Sequence, residues 1–61
     1  MMTEFWNPIT STGTKLVETR PDGVRIYADL KGKTSGKFIA VQDQYNWVSV
    51  ETLESARLAI L

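Results

Sequence analysis

The side chains that could attack or shuttle a proton in this chain are hydroxyls and carboxylates, because it contains neither histidine nor cysteine. A Ser-His arrangement cannot be assembled, and no thiolate nucleophile exists. Carboxylates can work in pairs as acid and base, as in glycosidases. Here Asp22 reads as a turn residue, while Asp29 and Glu51 fall on strands among exposed neighbours, so no pair is expected to face into a cleft. The same two absences remove the thiolate and imidazole ligands that bind most structural metals. The expectation is a chain that is not an enzyme, with no cofactor and no metal.

Binding chemistry is better represented. Arg25, Tyr27, Lys31, Phe38 and Trp47 interleave aromatic rings with basic groups. Rings supply rigid contact area, and guanidinium or ammonium groups reach carboxylates and phosphates. Lys31, Lys33 and Lys37 cluster around one glycine-containing turn, with Arg20 and Arg25 on the same hairpins. Between Val24 and Lys37 the one acid is Asp29, whereas Asp43 to Leu61 holds Asp43, Glu51 and Glu54 against Arg57. The charge is therefore lopsided, which suits an acidic partner or phosphate. It equally suits lysines that keep sheet edges soluble. Gly32, Lys33 and Gly36 do not form a phosphate-binding loop, since the spacing and the following helix are missing. A third candidate is the apolar C-terminus, where Leu58 and Leu61 read as an oligomer interface.

The elements that must position these groups follow from periodicity and turn chemistry. Thr14 to Arg20 reads as a first strand. Arg20-Pro21-Asp22-Gly23 is a turn, in which proline presets φ, aspartate bonds its own backbone and glycine accepts a left-handed conformation. Val24 to Lys31 alternates Val24, Ile26, Ala28 and Leu30 with Arg25, Tyr27, Asp29 and Lys31, the period of a half-buried strand. A three-residue loop would pair Thr19 with Arg25, Val17 with Tyr27 and Lys15 with Asp29. One residue more would set Glu18 opposite Arg25 and Val17 opposite Ile26, and the sequence allows both registers.

Lys37 to Asp43 is the next strand, apolar on both faces at Phe38-Ile39-Ala40-Val41 and so expected in the centre of a sheet. Gln42 to Asn46 turns the chain into a last strand, Trp47 to Glu51. Thr52 reads as a helix N-cap for Glu54 or Ser55, with Ser49 as the alternative cap. Leu53, Ala56 and Ile60 would dock on the sheet. The architecture expected is α+β, a small antiparallel β-meander of three to four strands with one C-terminal helix packed on one face. An SH3-like small barrel is the alternative. If the helix covers Val24, Ile26, Leu30, Ile39, Val41, Val48 and Val50, the other face displays Arg25, Tyr27, Lys31, Phe38 and Trp47.

At 61 residues there is room for one domain, spanning 14–61, preceded by an arm over 1–13. The arm is broken by Pro8 and by Thr10 to Gly13, and its Phe5, Trp6 and Ile9 are apolar enough to fold back on the domain. So short a chain buries only about 60% of its unfolded surface. With disulfides excluded, self-association is the supplement left, and a homodimer or a partner contact at Leu58 and Leu61 is expected. Seven basic and seven acidic residues cancel, which disfavours a nonspecific nucleic-acid binder. No apolar run approaches a membrane span, and Met1 to Thr12 has no signal-peptide pattern, so a cytoplasmic location is the default.

Gly36-Lys37-Phe38-Ile39-Ala40-Val41, followed by Val50-Glu51-Thr52-Leu53-Glu54-Ser55-Ala56, is similar in order to sheet-and-helix DNA-binding domains of the integrase arm-binding kind. That resemblance covers about half the chain and implies DNA read by arginines on the strands. The equivalent stretch here has few basic side chains, so no family is assigned. The functional expectation is a small protein-binding module, a regulator or inhibitor of a larger host or phage protein. Its contacts would be Arg25, Tyr27, Lys31, Lys33, Lys37, Phe38 and Trp47. The alternatives are sheet-mediated DNA binding and a homo-oligomeric structural component.

Overall fold

The computed structural model describes residues 13–32 and 34–61. Four strands, β1 (Thr14–Thr19), β2 (Arg25–Asp29), β3 (Phe38–Val41) and β4 (Trp47–Val50), precede one helix, α1 (Leu53–Leu58). The strands pair in chain order, each antiparallel to the next, so β1 and β4 are edges and no pairing among the described residues closes a barrel. The fold is a small α+β meander. No described helix is long and apolar enough to cross a membrane.

The Pro21-Asp22-Gly23 turn closes as its residue types require. Arg20 N donates to Val24 O (2.7 Å), Gly23 N to Arg20 O (2.9 Å) and Val24 N to Asp22 Oδ1 (3.2 Å), with Gly23 at φ 93°. Thr19 lies opposite Arg25 and Glu18 opposite Ile26, as a three-residue loop dictates. A bulge between Leu16 and Glu18 then shifts the ladder, so Leu16 faces Tyr27, Lys15 faces Ala28 and Thr14 faces Asp29. Both registers open to the sequence therefore occur, one on each side of the bulge. The extra residue, Val17, blunts the edge strand.

α1 starts as its sequence suggests. Thr52 is extended (φ −132°, ψ 156°) and its hydroxyl accepts Ser55 N at 3.0 Å. Ser49, the alternative cap, is part of β4. The helix ends early, because Ala59 is extended (φ −62°, ψ 137°). Ile60 is therefore thrown off the docking stripe and is 96% exposed, which corrects its expected place in the core. Arg20 supplies the C-terminal cap, donating from Nη1 to Ala59 O (2.7 Å) and Ala56 O (3.2 Å) while Nη2 binds Asp22. One guanidinium thus ties the first turn to the helix end.

Apolar side chains fill both faces of the sheet. Under α1, Val24, Ile26, Ala40 and Ala56 are buried, with Phe38, Val48, Val50, Leu53 and Ala59 packed against them. On the opposite face Tyr27, Ile39 and Val41 are buried, with Trp47 against them. β3 is thus out of phase with the expectation. Ile39 and Val41 point away from α1, and Phe38 points toward it. The cause is register, since Ala28 pairs with Phe38 and Ile26 with Ala40, so the helix-facing residues of β2 impose their face on β3. Leu30 does not join either cluster. β2 stops at Asp29, Leu30 N turns to Gly13 O (2.7 Å), and the side chain is 67% exposed.

Candidate functional site

The aromatic and basic residues do not gather on one open face. Arg25, Tyr27 and Trp47 share the face away from α1, where Arg25 lies across from Val41 and Val41 from Trp47. Tyr27 is 9% exposed and Trp47 half-buried, so both contribute more area to packing than to solvent. Phe38 belongs to the helix-side cluster, which corrects its expected display beside Tyr27 and Trp47. Lys31 lies in the turn after β2 rather than on a strand.

The basic turn is better ordered than its composition suggests. Lys31 and Lys37 are exposed on its two sides, and Lys33 lies outside the described residues. Between them a chain of hydrogen bonds pins the loop to β2 and β4. Gly36 N donates to Ser49 Oγ (2.7 Å), Ser49 Oγ to Thr34 Oγ1 (2.7 Å), and Thr34 Oγ1 to Asp29 Oδ2 (2.8 Å). Thr34 N also donates to that oxygen (2.8 Å). Each donor polarises the next, and the carboxylate terminates the series. Gly36 is required by close approach, since a Cβ there would strike the Val50 carbonyl and come within 2.6 Å of Ser49 Oγ. Asp29 is therefore an acceptor that holds the loop. Sequence reasoning missed this role for Thr34 and Ser49, because single hydroxyls 15 residues apart leave no spacing signal.

The third surface is the C-terminal end beside β1. Arg57 makes a two-point contact with Glu18, Nε to Oε2 at 3.0 Å and Nη2 to Oε1 at 2.8 Å, joining α1 to the first strand. The Arg57 guanidinium holds the Glu18 carboxyl below its usual range, and Glu18 raises Arg57 in turn. Val17 and Leu58 are the chain neighbours of this pair. Val17 is exposed, Leu58 is 72% exposed, and Ile60 and Leu61 follow with exposed side chains. Of these four, Leu58 and Leu61 were expected as an interface. Val17 is exposed as the extra residue of the bulge, and Ile60 because the helix stops two residues before it.

The last turn, between β3 and β4, is built on Asp43. Its Oδ1 accepts Tyr45 N (2.8 Å) and Asn46 N (3.0 Å). The Tyr45 backbone N–H, together with Asn46, holds this carboxyl below its usual range. Among the described residues there is no pocket and no group of three or more acidic residues placed to hold a metal ion. No family model, no curated protein and no solved structure matches the chain.

Proposed function

We propose that the chain is a small non-enzymatic protein-binding module, a regulator or inhibitor of a larger protein, and that its contact edge is β1 with the C-terminal end of α1. The observation that carries this reading is the exposure of Val17, Leu58, Ile60 and Leu61 on so short a chain. Several large apolar side chains left in solvent on one small domain are characteristic of interaction sites. Charge argues for the kind of partner. Glu54 is exposed and acts electrostatically on Arg57 at this end, so the complementary surface is apolar with a basic border. The composition supports a role without catalysis, since histidine and cysteine are both absent.

The test is capture by crosslinking in the cells that express the chain, comparing wild type with a Leu58→Asp, Ile60→Asp double variant. Both positions are exposed, so the variant keeps the fold. A protein captured by wild type and lost in the variant supports the edge. Equal capture by both, or capture by neither, rejects it. A second copy is the alternative occupant of the same edge. It is recognised by a solution mass that rises with concentration for wild type alone.

Sheet-mediated DNA binding is the second reading, favoured by the exposed Lys31 and Lys37 on either side of one turn. It also recruits Arg25 and Lys33. It requires retention of duplex DNA at low salt and a steep loss as salt rises. Absence of retention at low salt eliminates it.

A further inference from the structure

The two ends of α1 are tied to the sheet by different means. At its start the helix continues from β4 through Glu51 and Thr52, and Val50 O at the end of β4 accepts Lys37 N at 2.9 Å. At its other end, two guanidinium groups running in opposite directions tie it to the β1–β2 hairpin. Arg20 of the hairpin donates from Nη1 to the helix-end carbonyls of Ala56 (3.2 Å) and Ala59 (2.7 Å), while Asp22 of the same turn holds Nη2. Arg57 of the helix donates to both carboxylate oxygens of Glu18 on β1, at 2.8 and 3.0 Å. Such charge-assisted ties fix geometry as well as contributing energy.

Apolar packing beneath α1 is slight by comparison. Ala56 is the buried residue of the helix, and Leu53 and Ala59 are partly buried beside it. Six residues are too few to remain helical once they leave their support. Segments with few buried apolar groups open at a lower free energy than the domain that carries them.

We propose that α1 is a separately releasable flap, latched by Arg20 and Arg57, which opens about Glu51 and Thr52 while the four strands stay paired. Opening uncovers Val24, Ile26 and Ala40, the residues on which Ala56 packs. The latch also regulates the contact edge, a consequence that rests on the function proposed above. Val17 lies on β1 and Leu58 on the end of α1, and the Glu18–Arg57 contact sets the spacing between those two elements. With the latch open the edge is lost, and an apolar sheet face takes its place.

Amide hydrogen exchange of the isolated chain tests the latch without a partner. Its failure leaves the contact edge standing, and failed capture of a partner leaves the latch standing. The reporter is Ala56 N, which donates to Thr52 O at 3.1 Å. The references are the backbone N–H groups of Ile26 and Ala40 in the paired strands. Relative to these, Arg20→Met should speed exchange at Ala56 about tenfold, because it removes a charged donor from two carbonyls. Arg57→Met should speed it about two- to fivefold, as suits an exposed pair. Acceleration of helix and strand amides in equal proportion, or of neither, overturns the proposal. Should a variant fail to fold, the wild type decides. Exchange at Ala56 that is faster than in the strands and insensitive to low urea upholds a separate opening. The same opening free energy and the same urea dependence for Ala56 and the strand amides overturn it.

Discussion

The two faces of the sheet are buried to the same depth by different means. On the helix side the cover is local in sequence. α1 follows β4 after two residues, and small side chains let it approach, with Ala56 and Ala40 both fully buried. On the other side the buried residues are larger, Tyr27, Ile39, Val41 and Trp47, and no described strand or helix lies over them. The difference teaches that an aromatic–basic pattern on one face of a strand is not yet a binding surface. Whether such residues meet a partner or a neighbouring segment depends on what the rest of the chain can lay over them.

Cavity-forming substitutions test the comparison most severely. Ile26→Ala on the helix side should cost about 2–5 kcal/mol, comparable to the whole stability of a domain this size. Ile39→Ala should cost a similar amount if the second face is as tightly packed. Urea midpoints compare them, and a loss for Ile39→Ala below about 1 kcal/mol would show that its burial is not close packing.

Next comes Gly36→Ala. Its methyl group meets the Val50 carbonyl and the Ser49 hydroxyl and should cost about 1–3 kcal/mol by overpacking. A neutral result, by the same denaturation measurement, would mean that the loop yields and that the Gly36–Ser49–Thr34–Asp29 chain is dispensable. Arg20→Met belongs to the helix side and to a similar range. It removes the donor to Ala56 O and Ala59 O, with an expected loss of about 1–3 kcal/mol. Arg20→Lys should not restore it, because one ammonium cannot reproduce a planar fork. Thr52→Ala sharpens the same side further, costing about 1 kcal/mol and loosening α1 without touching the second face. Trp47 quenching should therefore stay constant in this variant.

The smallest effect is the acid limb of the stability curve. Arg57 holds Glu18 below its ordinary 4.5. Asp22 lies below 3.8 through the Val24 N–H and then Arg20, and Asp43 lies below 3.8 through the Tyr45 N–H and then Asn46. Depressed carboxyls stabilise the fold fully above their unfolded values and lose that contribution as pH falls through the folded ones. Stability should accordingly decline below pH 4.5 and show no histidine-linked step near neutrality. Glu18→Gln should soften the upper part of that decline. A midpoint that falls between pH 7 and pH 5 in the wild type would contradict this assignment.

Much of the fold was written in short-range chemistry. Pro21-Asp22-Gly23 makes the turn its types demand, Thr52 caps α1, Gln42 to Asn46 turns the chain, and the alternation of Val24 to Ala28 marks β2. Each depends on residues within a few positions of one another, so spacing alone reveals it. The candidate contact residues were legible only as residue types. Leu58 and Leu61 proved exposed, whereas Tyr27 and Phe38 went into two different cores.

Tertiary structure alone decided four matters. The phase of β3 came from its partner strand, because a run apolar at every position looks the same when shifted by one. The bulge at Val17 reconciled two registers that turn and sheet each preferred. Arg20, which looked like part of a basic patch, became a helix cap because its partners lie 36 and 39 residues away. The early end of α1 released Ile60 to solvent. In every case the deciding interaction is long-range, and a linear pattern records which residues can make such a contact but not which one they meet.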